Sequence, residues 1–207
     1  METFSTLMGK QTLLPIIQAD TIEQGLAIGK AMVAADIHLV EVVLRTEASI
    51  DIIKVLKKEL PALKVGAGTV IDAGILNQAL DAKSDFIITP TLSTSLLTQL
   101  ANCPVPVLPG VSNAADILLA RDFGYCQLKL FPASLSGGVA FLSAMSAVFR
   151  DITFCPTGGI TQSNQQEYLD LANVFAVGGT WVAKPDWIKM GQWSKVTAAC
   201  KAAQSVD

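Results

Sequence analysis

Eight short apolar runs, most of them β-branched, recur along the chain with 20–26 residues between successive starts. They are LLPII (13–17), HLVEVVL (38–44), LKVGAG (63–68), DFIIT (85–89), VPVLP (105–109), CQLKLF (126–131), ITFCP (152–156) and VFAVG (174–178). One interval is the length of a strand, a helix and two short loops. The stretches between the runs carry helix punctuation. Asp20 and Thr21 precede IEQGLAIGKAMVAA, Ser93 and Ser95 precede LLTQL, and Ser112 and Asn113 precede AADILLARD, all side chains that cap a helix N-terminus. Gly124 follows LLARDF as a stop. Strands joined this way lie parallel and are buried on both faces, which is why they are apolar almost throughout. A closed (β/α)8 barrel and an open doubly wound sheet both fit this order. Near-equal spacing over eight units favours the barrel, and 207 residues lie at its compact end. The segment after the first run is QADTIEQG rather than G-x-G-x-x-G, which argues against a dinucleotide-binding sheet. With no Ser-, Gly- or charge-rich linker, residues 1–207 read as a single α/β barrel domain.

Composition narrows the function. The chain is 51% hydrophobic and 16% charged, far from the disorder regime. Its apolar runs are broken well before the roughly 18 residues that a spanning helix needs. The opening METFSTLMGK has neither a basic head nor a continuous apolar stretch, so no secretory signal is expected. The net charge is −3, and the densest positive spot, Lys54, Lys57 and Lys58, reads as the wet face of one amphipathic helix. A nucleic-acid partner is therefore not expected. Cys103, Cys126, Cys155 and Cys200 are far apart and read as reduced, buried thiols. The single histidine, His38, argues against a histidine metal cluster and a Ser-His-Asp device. No carboxylates are spaced as metal ligands, so neither a metal nor a cofactor is expected.

In a barrel, chemistry gathers at the C-terminal ends of the strands, on inward-pointing side chains. In the second run, alternation puts Glu41, Val43 and Arg45 on one face and Val40, Val42 and Leu44 on the other. A carboxylate inside such a run is costly to bury alone, so Glu41 is either half of a structural ion pair or a functional group. The sixth run puts Gln127, Lys129 and Phe131 on one face. A lysine inside a Leu/Phe strand is unusual, and desolvation favours the neutral amine that attacks a ketone to form a Schiff base. Pairing of Lys129 with Glu41 serves structure and function alike, since the carboxylate also supplies a general acid–base. The third run ends in Gly66-Ala67-Gly68-Thr69, with Thr69 on the face of Val65 and Ala67. Gly158 and Gly159 follow Thr157 after the seventh run, and Gly178 and Gly179 precede Thr180 after the eighth. Glycine turns at these two strand ends are where barrels commonly cradle a phosphate.

The segments LVEVVLRT (39–46), VGAGTV (65–70), LKLFPAS (128–134), FCPTGGI (154–160) and VGGTW (177–181) resemble the bacterial 2-keto-3-deoxy-6-phosphogluconate (KDPG) and 4-hydroxy-2-oxoglutarate (KHG) aldolases. The resemblance runs from about Leu14 to Trp181. It implies a class I, metal-independent lyase of the Entner–Doudoroff pathway, cytoplasmic and homotrimeric. Such an enzyme cleaves KDPG to pyruvate and glyceraldehyde 3-phosphate, and KHG to pyruvate and glyoxylate. On this resemblance Lys129 is the Schiff-base lysine and Glu41 the general acid–base. Arg45, Thr69, Pro90 and Thr91 would hold the substrate carboxylate, and Gly158, Gly159, Gly179 and Thr180 the phosphate. Phe131 and Thr157 would line the cavity between. Thr91 departs from the glycine common at that position and bears on substrate preference. Arg45 favours this branch over the phosphogalactonate aldolases, where asparagine is common.

Other polar residues read as structural. His38 starts its strand on the outward face, away from the site. Trp187 and Trp193 pack in the C-terminal helical region, and Trp181 either packs or walls the phosphate site. Asp72, Asp81 and Asp85 read as solvated acids at helix termini. A phosphate-binding barrel with isomerase or synthase chemistry, or a non-catalytic phosphoester-binding barrel, shares the glycine turns. Neither has a need for Lys129.

Overall fold

The computed structural model describes residues 3–204. Every apolar run contributes a strand: β1 (Leu13–Ile17), β2 (Leu39–Val43), β3 (Lys64–Gly68), β4 (Ile87–Ile88), β5 (Val107–Leu108), β6 (Gly110–Val111), β7 (Gln127–Leu130), β8 (Thr153–Phe154) and β9 (Val177–Gly179). Only Val107–Leu108 of the fifth run forms β5; the extended chain resumes past the run's end as β6, after Pro109, whose missing N–H interrupts the ladder. Parallel pairing runs β5-β4-β3-β2-β1-β9 in one sheet and β6-β7-β8 in the other. Bridges Phe154↔Val174 and Thr157↔Gly178 join β8 to β9, and the β5–β6 strand joins the sheets on the far side, so the ring closes as a barrel of the (β/α)8 type.

Helices α2 (Ile22–Val33), α3 (Ser49–Glu59), α4 (Ala73–Asp81), α5 (Thr94–Leu100), α6 (Ala114–Asp122), α7 (Gly138–Val148), α8 (Gln165–Leu169), α9 (Pro185–Lys189) and α10 (Trp193–Gln204) alternate with the strands. The expected caps are in place. Thr21 accepts from Gln24 N, Ser93 from Leu96 N, Asn113 from Ala115 N and Asp116 N, and Asp72 from Ile75 N. Ser95 lies inside α5 rather than before it. Gly124 follows the end of α6 at φ +86°. Outward side chains of the strands (Val40, Val42, Val65, Ala67) pack with Ile28, Met32, Ile52 and Leu56 of the helices in one apolar cluster.

The barrel interior below the site is filled by Leu14, Leu39, Phe86, Ile88, Leu108, Cys155 and Ala176. A short helix with no counterpart in the sequence pattern, α1 (Phe4–Met8), closes the end where the strands begin. Phe4 meets Phe86 edge-on at 5.1 Å between ring centroids, and Met8 packs in the same cluster. Gln127, at the start of β7, locks α1 in place by accepting from Ser5 N (2.9 Å) and donating to Ser5 Oγ (2.7 Å).

Three smaller expectations change. Asp85 is half-buried and pairs with Lys57 at 2.7 Å while accepting from Val65 N, so it seals the base of β3 rather than capping a helix. Lys57 is accordingly not part of a purely wet face; Lys54 is, paired with Asp51. Cys126 is exposed, because alternation at the barrel rim turns Gln127 inward and its neighbour out, whereas Cys103, Cys155 and Cys200 are buried. His38 is exposed at the start of β2, where its N–H donates to Gln11.

Candidate active site

Strands β2 and β7 point one charged residue each into the barrel. Lys129 Nζ donates to Glu41 Oε1 at 3.0 Å and Oε2 at 3.1 Å. Glu41 is 0% and Lys129 4% exposed. Two opposite charges in contact offset much of the desolvation that either alone would suffer. Room for the carboxylate comes from Gly68 on the neighbouring strand, since a Cβ there would fall on the Glu41 carboxylate. A Cβ at Gly66 would likewise fall on the Phe86 ring. Both glycines therefore make space for side chains. The Phe131 ring centroid lies 5.4 Å from Lys129 Nζ, within cation–π range.

Lys129 opens into a cavity of about 190 Å³ bounded by Val43, Arg45, Phe131, Thr157, Gly158, Gly159, Gly179 and Thr180. Ile16 and Ile160 also line it and were not singled out from the sequence. A signal for Ile16 exists in the parallel register, which pairs it with Glu41 and so turns it to the same side. Glu41 itself lies behind Lys129, off the cavity wall. Of the eleven residues other than Lys129 expected at the site, the structure gathers seven on this wall (Arg45, Phe131, Thr157, Gly158, Gly159, Gly179, Thr180).

Thr69 reaches the site by an unexpected route. Val65 and Ala67, the residues whose face it was expected to share, point outward to the helices. Thr69 has φ +64°, which breaks the alternation and brings its hydroxyl within 3.1 Å of Arg45 Nε, from which it accepts. The loop bearing Arg45 is tied down underneath. Buried Ser49 donates to Val43 O (3.0 Å) and accepts from Thr46 N (3.1 Å), while Thr46 Oγ1 donates to Ala19 O (2.8 Å). Pro90 and Thr91 do not line the cavity. They lie beyond the two-residue strand β4, Pro90 packed against Gly110 and Thr91 exposed.

At the opposite wall Gly158 and Gly159 have φ +96° and +79°, a left-handed pair that side chains resist. Gly159 also abuts Ser134, where a Cβ would fall on the hydroxyl. Asn164 fixes this turn by donating to Gly159 O (3.0 Å) and accepting from Thr161 N (2.8 Å). Trp181 packs beneath Gly179 and lines a different, outer hollow with Trp187. Burial pushes the Cys155 thiol, below the pair, up to about 12, with the Lys129 ammonium opposing and the Glu41 carboxylate reinforcing the shift.

Among the described residues no group of three or more His, Cys, Asp or Glu side chains is placed to hold a metal ion. No helix among them is long and apolar enough to cross a membrane. An amine against a carboxylate at the floor of a small cavity, with an arginine at one wall and a glycine turn at the other, can form an imine and move protons beside it.

Comparison with known proteins agrees. Residues 5–199 match the family model for KDPG and KHG aldolase. The 2-dehydro-3-deoxy-phosphogluconate aldolase of Pseudoalteromonas atlantica is 38% identical over 92% of this chain and 89% of its own length. The KHG/KDPG aldolase of Escherichia coli is 36% identical over 92% of this chain and 90% of its own. The crystal structure of the KDPG aldolase of Legionella pneumophila, holding pyruvate as a covalent carbinolamine intermediate, superposes with a TM-score of 0.94. It is 36% identical over 97% of this chain and 98% of its own.

Proposed function

The chain belongs to the KDPG and KHG aldolase family, and on that premise we propose that it cleaves KDPG to pyruvate and glyceraldehyde 3-phosphate through a Schiff base on Lys129. It is a lyase. The observation that carries the role of Lys129 is its double hydrogen bond to Glu41 on the cavity floor.

Lys129 passes a proton to Glu41, its freed amine attacks the C2 ketone, and Glu41 returns the proton to the departing hydroxyl as the carbinolamine loses water. The resulting iminium draws the electrons of the C3–C4 bond as the C4 hydroxyl gives its proton to the Glu41 carboxylate, and glyceraldehyde 3-phosphate leaves. Protonation of the enamine at C3 and hydrolysis then release pyruvate and restore the amine. Arg45, steadied by Thr69, takes the substrate carboxylate. The Gly158–Gly159 turn, Gly179 and Thr180 take the phosphate through backbone N–H groups and a hydroxyl, which suits a chain of net charge −3. Thr157 and Phe131 shape the wall between. KHG, which lacks the phosphate, uses the same imine chemistry with fewer contacts. The iminium is the electron sink, so neither metal nor organic cofactor has a step to perform.

A phosphogalactonate-type specificity is the weaker reading, since Arg45 stands at the carboxylate end and the quoted relatives bear phosphogluconate or KHG/KDPG names. We further propose that residues 1–207 form one domain that assembles as a homotrimer and works in the cytoplasm, as the family resemblance implies. The test is borohydride reduction with pyruvate. Irreversible inactivation, with the mass increase on the peptide containing Lys129, is expected; full activity with Lys129 unmodified overturns the reading.

A further inference from the structure

A second cavity of about 180 Å³ adjoins the first, and Ile16 and Thr180 line both. It lies between the end of β1 with the start of α2 on one side and α9 on the other. Gln18, Asp20, Gln24 and Lys189 supply its polar groups, and Ala19, Ala183, Pro185 and Ile188 its apolar floor. The Asp20 carboxylate and the Lys189 ammonium have no hydrogen-bond or ion-pair partner among the described residues. Gln24 Oε1 accepts from Asp20 N at 3.1 Å, which leaves its amide N–H groups free to donate.

We propose that this cavity is an extension of the aldehyde end of the site, and that it takes the distal hydroxyls of an unphosphorylated polyhydroxylated aldehyde of four or more carbons. The inference rests on the aldolase reading above. Two features select that ligand. One carboxylate and one ammonium balance, so the walls favour a neutral chain over a second anion. The amides and charged groups donate and accept toward hydroxyls, while the aliphatic floor packs against C–H faces. In the direction of addition, C3 of the Lys129-bound pyruvate enamine bonds to the aldehyde carbon and the carbonyl oxygen takes up a proton. The rest of the chain then passes Thr180 into the second cavity. A triose 3-phosphate is held by the glycine turn and has no need of this space.

The test compares kcat/KM for addition of pyruvate to erythrose and to glyceraldehyde 3-phosphate in wild type, Gln24→Leu and Ile188→Trp. Gln24 is half-buried at the surface, so its variant leaves the fold intact if the filled Ile188→Trp cavity does not. Both variants are expected to lower the erythrose value about ten-fold, while the triose phosphate value stays within about two-fold. An unchanged ratio of the two values in both variants overturns the proposal. Borohydride trapping of pyruvate on the wild type runs alongside. An adduct with an unchanged ratio overturns the extension alone, and no adduct overturns the aldolase reading beneath it.

Discussion

Lys129 and Glu41 face each other across the barrel with Nζ 3.0 and 3.1 Å from the two carboxylate oxygens, and each is the other's charge partner in an otherwise apolar interior. Removing one is therefore a different perturbation from removing both. Lys129→Met abolishes the borohydride adduct and leaves an unpaired buried carboxylate, at a cost of about 3–5 kcal/mol in urea unfolding. Glu41→Gln keeps a hydrogen-bonding group and lowers kcat by about 10²–10⁴. The double variant recovers most of the lost stability and none of the activity. Equal stability of the Lys129→Met and double variants contradicts the pairing.

Gly68 gives the carboxylate its room, and Gly66 gives Phe86 its own. Gly68→Ala displaces Glu41 and is expected to lower kcat by about 10² at modest loss of stability. Gly66→Ala strains the packed interior and lowers the melting temperature first. Measured side by side, the two separate a catalytic displacement from a packing defect; the same balance of losses in both removes the distinction.

Ser49 acts at a distance through the backbone. Its hydroxyl ties Val43 O to Thr46 N on either side of Arg45. Ser49→Ala leaves Thr46 N unpaired and Val43 O with only its bond from Arg45 N, which loosens the arginine, so KM for KDPG rises about ten-fold, or ~1.4 kcal/mol, with kcat nearly unchanged. A fall in kcat at constant KM places the role of Ser49 elsewhere.

Burial pushes Cys155 and Cys200 each up to about 12. Native protein at pH 8 should therefore give one fast thiol with a disulfide reagent, exposed Cys126, and the rest only on unfolding. The sign of the stability effect follows. Above about pH 9 the unfolded thiols ionise while the folded ones keep their protons, so the unfolded state binds fewer protons and stability falls with pH up to about 12. Each group contributes at most about 1.4 kcal/mol per pH unit. Cys200→Ala should show a shallower decline of the urea midpoint between pH 9 and 11; an unchanged slope contradicts it.

The barrel was legible because each strand–helix unit repeats one pattern and because charge is so scarce in the strands that Glu41 and Lys129 stand out. What alternation cannot convey is a break in its own rule. Thr69 turns toward Arg45 through a left-handed backbone that a threonine in sequence does not advertise. Glycine letters likewise do not reveal which neighbour they accommodate, here Phe86 at Gly66 and Glu41 at Gly68. Asp85 looked like a solvated acid because its partners, Lys57 and Val65 N, lie 28 and 20 residues away. The plug α1 is five residues long, too short for periodicity to announce.

That plug makes the reaction chamber a blind alley. With Phe4, Met8 and the layer above them sealing one end, whatever enters past Arg45 and Thr180 must leave the same way. In the reaction proposed above, pyruvate is held covalently on Lys129 at the closed end while the aldehyde fragment is free to go. Traffic is thus last in, first out: aldehyde departs before pyruvate, and in the reverse direction pyruvate must dock before any aldehyde can follow.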